Sequence, residues 1–120
     1  MINRQRRAFS FQKKEKIRKK KDFGKIFLQG EGLKNNYFGI RLKCNTLNYR
    51  RIAVIVRKKE YRKAHTRNKI KRRIREIYRL NKEKFPASTD CVIIVKEFAH
   101  NLSYLELQNK LFNLLAKHRV

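Results

Sequence analysis

Two kinds of apolar pattern succeed one another along this chain, and their order predicts its elements. In residues 37–43, Phe38, Ile40 and Leu42 alternate with Tyr37, Arg41 and Lys43, the period of a strand with one buried and one wet face. Residues 51–56 and 91–95 are apolar on both faces, so both read as strands, and 51–56 is expected at the centre of the sheet. Elsewhere the period lengthens to that of a helix. Phe23, Ile26 and Phe27 share one face of a short helix through Gln29, with Asp22 either opening it or in its first turn, and Gly30 as a left-handed C-terminal stop. Ile70, Ile74 and Ile77, flanked by Leu80, stripe a second helix that begins at His65 or Thr66. Ser103 and Glu106 form a capping box that opens a third helix through about His118, with Leu107, Leu111, Leu114 and Leu115 on its core face. Residues 32–36 read as a turn, 45–50 as a polar loop, and Pro86 and Asp90 as markers of a turn before the last strand. A sheet covered on one side by helices follows.

Charge sharpens this outline. The 120 residues form a single domain, with 34 Lys and Arg against nine acids, a formal charge of +25 and a pI near 10.9. Such a surface recruits polyanions. The excess is local: residues 1–21 hold ten cations and 57–75 hold eleven, whereas 86–120 hold four against three acids. Residues 1–16 form a basic arm in which Ala8-Phe9-Ser10-Phe11 is either a short edge strand or part of a disordered tail. No apolar run approaches the roughly 20 residues that span a bilayer, and Met1 to Lys21 lacks the apolar centre of a secretory signal.

The second helix carries the strongest functional signal. At roughly 100° per residue, Asn68, Lys71, Arg72, Arg75 and Arg79 fall on one arc of about 100° opposite the isoleucine stripe. Only Glu76 lies among these cations, so they repel one another until phosphates relieve them. That face reads as an RNA-binding surface. On the first helix, Phe23 and Phe27 are either both core or one of them faces a groove where an unpaired base stacks.

Other chemistry is scarce. Cys44 and Cys91 stand apart with no zinc-ligand spacing, and both read as buried free thiols of a cytoplasmic protein. His65, His100 and His118 are not locally paired, and no carboxylate cluster is spaced to hold catalytic magnesium. Catalysis by the protein alone is therefore not expected.

The segment Arg67-Asn68-Lys69-x-Lys71-Arg72-x-x-Arg75-Glu76, preceded by Val56-Arg57-Lys58-Lys59 and Ala64-His65, closely resembles the signature of the protein subunit of bacterial ribonuclease P. Asp22-Phe23-x-x-Ile26-Phe27-x-x-Gly30 resembles that family's first helix, and the likeness runs in matching order over residues 15–118. It implies an α+β fold: a compact α/β sandwich with a four-stranded sheet and three helices in αβββαβα order, ribosomal protein S5 domain 2-like, with a left-handed crossover around the basic helix. It also implies a role as the small partner of a catalytic RNA that removes the 5′ leader of precursor tRNA, using Mg2+ held mainly by the RNA. Carried over by resemblance, Arg67, Asn68, Lys69, Lys71, Arg72 and Arg75 would contact the catalytic RNA, with Asn68 beside a metal. Phe23, Phe27, Arg41, Lys58, Lys59 and Lys63 would receive the leader. Three positions depart from the family pattern. Lys69 replaces an Arg, Glu60-Tyr61-Arg62 occupies a loop that usually contains Gly and is one residue longer, and Arg41 stands where an aromatic is common. The rival reading is a ribosomal or other structural RNA-binding protein, which would need neither the Arg67-Asn68-Lys69 core nor a leader groove.

Overall fold

The computed structural model describes residues 11–118. Three helices, α1 (Lys20–Gln29), α2 (Ala64–Leu80) and α3 (Tyr104–Leu115), accompany four strands, β1 (Glu31–Lys34), β2 (Phe38–Cys44), β3 (Arg51–Val56) and β4 (Thr89–Val95). The chain order is αβββαβα, with short 3-10 turns at Lys13–Glu15, Lys82–Lys84 and Ala99–Asn101. The sheet order is β1-β2-β4-β3. The first two pairings are antiparallel, whereas β3 and β4 run parallel and are joined through α2.

Strand alternation sorts the side chains onto two faces. On one, Phe38, Ile40, Leu42, Ile52, Val54, Val56, Ile93 and Val95 pack with Ile70, Ile74, Ile77 and Tyr78 of α2 and with Leu107, Leu111, Leu114 and Leu115 of α3. This is the main core, and it holds both longer helices. The other face carries Val92 in a smaller cluster with Ile17 and Ile26 of α1, flanked by Phe23, Ala53, Ile55 and Ile94. Helices therefore lie on both sides of the sheet, although the sequence pattern implied one. The ten-residue α1 covers only part of its face.

Several other expectations need correction. β3 is an edge strand rather than a central one, paired with β4 and touched beyond that by a single bridge between Lys16 and Ile52. Residues 31–34, read partly as a turn, form the fourth strand, because Gly32 and Leu33 find partners in Arg41 and Ile40. The true turn is held by Asn35, whose Oδ1 accepts from the amides of Tyr37 (2.8 Å) and Phe38 (2.7 Å). Gly30 is extended (φ −79°, ψ 158°) rather than left-handed. Its requirement is close approach: a Cβ there would lie 2.4 Å from the Ile26 carbonyl oxygen and 2.9 Å from that of Leu42. Asp90 lies inside β4, not in a turn. Leu80 and Cys44 are exposed, both cysteines are free, and Tyr78 replaces Leu80 at the end of the buried stripe. Of the proposed arm strand, residues 8–10 fall outside the described residues and Phe11 has no strand pairing.

The capping box is present as expected, with the Glu106 amide donating to Ser103 Oγ (3.2 Å) and the Ser103 amide to Glu106 Oε1 (2.9 Å). Asp22 sits in the first turn of α1, which starts at Lys20. There it meets Arg51, which binds Asp90 through Nε (2.8 Å) and Nη2 (2.6 Å) and Asp22 through Nη1 (3.3 Å). Asn45 also donates to Asp90 (2.9 Å). The hydrogen bonds from Arg51 to Asp90 outweigh partial burial and hold the guanidinium pKa above its ordinary value. This cluster ties the start of α1 to the sheet.

Candidate nucleic-acid interface

α2 buries Ile70, Ile74, Ile77 and Tyr78, which turns its basic arc outward. Asn68, Lys71, Arg72, Arg75 and Arg79, with Glu76 and Phe11, line one cleft of about 390 Å³. The five arc residues thus share a surface, as helical geometry requires. Glu76 pairs with Arg79 within that row, leaving the positive field concentrated on the turns before it. Lys69 is exposed but does not line this cleft. Arg67 is half-buried and also makes a structural contact: its Nη1 donates to the carbonyls of Tyr61 and Arg62, both at 2.8 Å. It therefore staples the loop before α2 to the first turn of the helix.

That loop presents Lys58, Lys59 and Lys63, all exposed. It lacks a glycine, and buried Tyr61 anchors it instead. The Tyr61 hydroxyl donates to the Lys96 carbonyl (2.5 Å) and accepts from the Ala99 amide (3.0 Å). Burial raises the Tyr61 pKa, so the hydroxyl keeps its proton and its donor role. The three lysines consequently stand on a fixed turn beside the far ends of β3 and β4.

On the face that α1 partly covers, the sheet forms an open groove. Near β3 a cleft of about 240 Å³ is walled by Phe11, Ile17, Phe23, Ala53, Ile55 and Arg75. Across the sheet a second of about 310 Å³ is bordered by Gly32, Lys34, Gly39, Arg41 and Ile94. The two aromatic residues of α1 part company here. Phe23 is half-buried against the satellite core, while Phe27 is 37% exposed. Arg41 lies over the Phe27 ring, its guanidinium carbon 6.0 Å from the centroid. It also donates to the carbonyls of Phe27 (3.1 Å) and Gly30 (3.4 Å), satisfying the C-terminal end of α1. Arg41 thus gives the groove a cation and an immobilised edge where an aromatic was the family expectation.

The groove floor was missed in the sequence. Ala53, Ile55 and Ile94 were read as the second face of fully buried strands, yet all three are only half-buried. Phe11 was missed as well, although it borders both the α2 cleft and the β3 end of the groove. A half-apolar, half-basic segment gave no signal of that position.

No group of three or more His, Cys, Asp or Glu residues that could hold a metal ion occurs among the described residues. His65 lies in the first turn of α2, which starts one residue earlier than the sequence pattern implied, His100 packs edge-on against Tyr61 at 5.4 Å, and His118 pairs with Glu31, so the three imidazoles occupy separate elements. No helix among the described residues is long and apolar enough to cross a membrane.

A family model described as ribonuclease P matches residues 11–119. The ribonuclease P protein component of Petrotoga mobilis is 44% identical over 112 residues, covering 90% of this chain and 94% of that one. The corresponding protein of a Thermotoga species is 38% identical, with 90% and 95% covered. Among solved structures, the ribonuclease P protein of Thermotoga maritima superposes with a TM-score of 0.79 at 34% identity, covering 88% of this chain and 99% of that one. The Staphylococcus aureus ribonuclease P protein gives 0.76 at 32% identity, with 85% and 93% covered.

Proposed function

This chain belongs to the ribonuclease P protein family, and from that premise we propose a division of labour between its two surfaces. Membership makes it a subunit of the ribonuclease P holoenzyme, an endoribonuclease with an RNA partner. In our reading the α2 arc docks on the catalytic RNA, and the groove between α1 and the sheet receives the single-stranded 5′ leader of precursor tRNA. The observation that carries it is a difference in side-chain chemistry: Lys71, Arg72, Arg75 and Arg79 dominate the α2 cleft, whereas the groove has an apolar floor of Ala53, Ile55 and Ile94 beside Phe23, with Lys16, Arg18, Lys34 and Arg41 around it.

Each surface suits its ligand. Rigidly spaced cations on a helix neutralise phosphates and release counterions, which gives affinity without reading sequence. A sheet face bearing aromatics accepts bases by stacking, and it accepts any sequence because every base has a π-face. The lysines at positions 58, 59 and 63 and Arg41 supply charge for the leader backbone.

The residues do not fit a magnesium site on the protein itself. Asn68 offers one neutral oxygen beside Lys71, Arg72 and Arg75, and the carboxylate that lines the same cleft, Glu76, is paired with Arg79. Magnesium asks for carboxylates or phosphates in octahedral array. Any Mg2+ in this reading is held by RNA phosphates, with Asn68 at most beside it, and the protein's contribution is placement of the two RNAs.

The test is 5′ leader cleavage of a precursor tRNA at low magnesium, with a bacterial ribonuclease P RNA and this protein supplied together and separately. Cleavage that needs both components at low magnesium is the expected result. Cleavage by the protein alone would overturn the division of labour, and no stimulation of the RNA would return weight to a structural RNA-binding role.

A further inference from the structure

The two clefts meet at one aromatic ring. Phe11 and Arg75 are the residues that line both the α2 cleft and the β3 end of the groove. Phe11 rests edge-on against Tyr78, centroids 5.6 Å apart and planes at 71°, so the core grips part of it while the rest borders open space. Lys16 Nζ lies 5.4 Å from the ring centroid. An aromatic ring flanked by cations on a path between two RNA surfaces is the composition of a base-stacking platform.

The ring is also set in place beforehand. Glu15 is 5% exposed and accepts from the Tyr78 hydroxyl (2.5 Å), Lys82 Nζ (3.0 Å) and the Gln12 amide (2.9 Å). Two residues further on, the Ile17 amide donates to the Ile52 carbonyl (3.2 Å), and Lys16 bridges to Ile52. Residues 12–17 are thereby strapped across the end of α2 and the free edge of β3. This strap fixes where Phe11 stands, so a base stacking there need not order the ring first.

We propose that Phe11 is a stacking platform for one unpaired RNA nucleobase at the corner joining the α2 cleft to the sheet groove. The inference rests on the proposed assignment of those two surfaces to RNA. The base belongs either to the catalytic RNA or to the leader, and stacking chemistry is common to both.

The chain has no tryptophan, so Phe11→Trp is a single-tryptophan reporter that keeps an aromatic face. Its emission is followed while catalytic RNA is added, and then a precursor tRNA with a leader or a mature tRNA without one. Binding is measured in parallel by anisotropy of labelled RNA. Quenching by catalytic RNA alone assigns the base to that RNA; quenching that appears only with the leader-bearing precursor assigns it to the leader. Long-chain polyphosphate supplies charge without bases and should leave the emission unchanged. Phe11→Leu, which keeps apolar bulk against Tyr78 and is checked for folding by thermal melting, should weaken binding of the assigned RNA by about fivefold to 150-fold, the range for one base–aromatic stack. Binding by anisotropy with no quenching, together with wild-type affinity of Phe11→Leu, would overturn the platform and leave the two-surface reading standing. Absence of RNA binding would overturn both.

Discussion

Salt dependence offers a quantitative test of the α2 surface. Arg72 and Arg75 are exposed, lie one turn apart and make no hydrogen bond to the core, so replacing both with Ala removes two cations from the cleft without opening the fold. Each phosphate contact contributes about 0.7 to 0.9 to the slope of log affinity against log salt, so the double variant should flatten that slope by about 1.4 to 1.8. Between 50 and 200 mM salt, a change of about 0.6 in log concentration, the wild-type advantage should shrink by about sevenfold to twelvefold. The assay is titration of the catalytic RNA at four or five salt concentrations, with Arg72→Lys/Arg75→Lys as a variant of equal charge. The Lys pair should keep the slope while losing some affinity, because the planar bidentate fork is lost. Parallel lines for wild type and the Ala pair would show that neither arginine meets a phosphate, and the arc would then be an ordinary solvated face.

Four further outcomes are expected. Phe27→Ala should weaken binding of precursor tRNA to the holoenzyme by about fivefold or more while leaving mature tRNA nearly unchanged; equal losses would reduce Phe27 to a support for Arg41. Gly39→Val is a spatial test, because a Cβ at Gly39 meets only Ile94 Cβ at an ordinary 3.9 Å. The variant should melt like the wild type yet raise KM for leader-bearing substrate, and an unchanged KM would move the leader elsewhere. Asp90→Asn leaves Arg51 without its bidentate partner, and a urea titration should show a loss of about 3 kcal/mol, the lower end for a broken buried pair because Asp22 remains. Burial opposes ionisation of Glu15, but the bonds from Tyr78, Gln12 and Lys82 outweigh it, so its folded pKa lies below the ordinary glutamate value. Its stabilisation is therefore complete above the unfolded pKa of about 4.3 and disappears as pH falls through the lower folded value. Glu15→Gln should remove that part of the acid dependence, and superimposable acid titrations of the two proteins would refute it.

What the sequence disclosed depended on the range of the forces involved. α2 was legible because a 3.6-residue period and a charge arc are local properties, and the capping box of α3 was legible for the same reason. β1 was not, since Glu31-Gly32-Leu33-Lys34 has one large apolar side chain and becomes a strand only through pairing with β2. Asp90 was misread because its partner Arg51 lies 39 positions away, and nothing local separates a turn aspartate from a buried ion-pair member. The basic arc was legible as an outward face, and it is one; Arg67, which only the family resemblance singled out, also has a structural contact that no local pattern discloses, its Nη1 donating to the loop carbonyls of Tyr61 and Arg62. The family resemblance supplied the number of strands, which periodicity alone did not.

The misplacement of β3 has the most to say about function. A strand apolar on both faces ordinarily belongs in the middle of a sheet, because both faces then escape water. Here it is an edge, and its second apolar face is only half-covered, because ten residues of α1 span about 15 Å and reach Val92 but leave Ala53, Ile55 and Ile94 partly open. Hydropathy cannot distinguish a side chain waiting for a ligand from one buried by its own chain. The opposite face is packed against α2 and α3, so the floor cannot fold away to hide these residues. Gly39 and Ala53 keep that floor low enough for an extended chain to approach the strands closely, whereas Gly32 lies against the Arg41 side chain. An apolar trough in a chain of charge +25 is therefore suited to a ligand that is itself both apolar and anionic, and a single strand of RNA, with its bases turned in and its phosphates turned out, has that character.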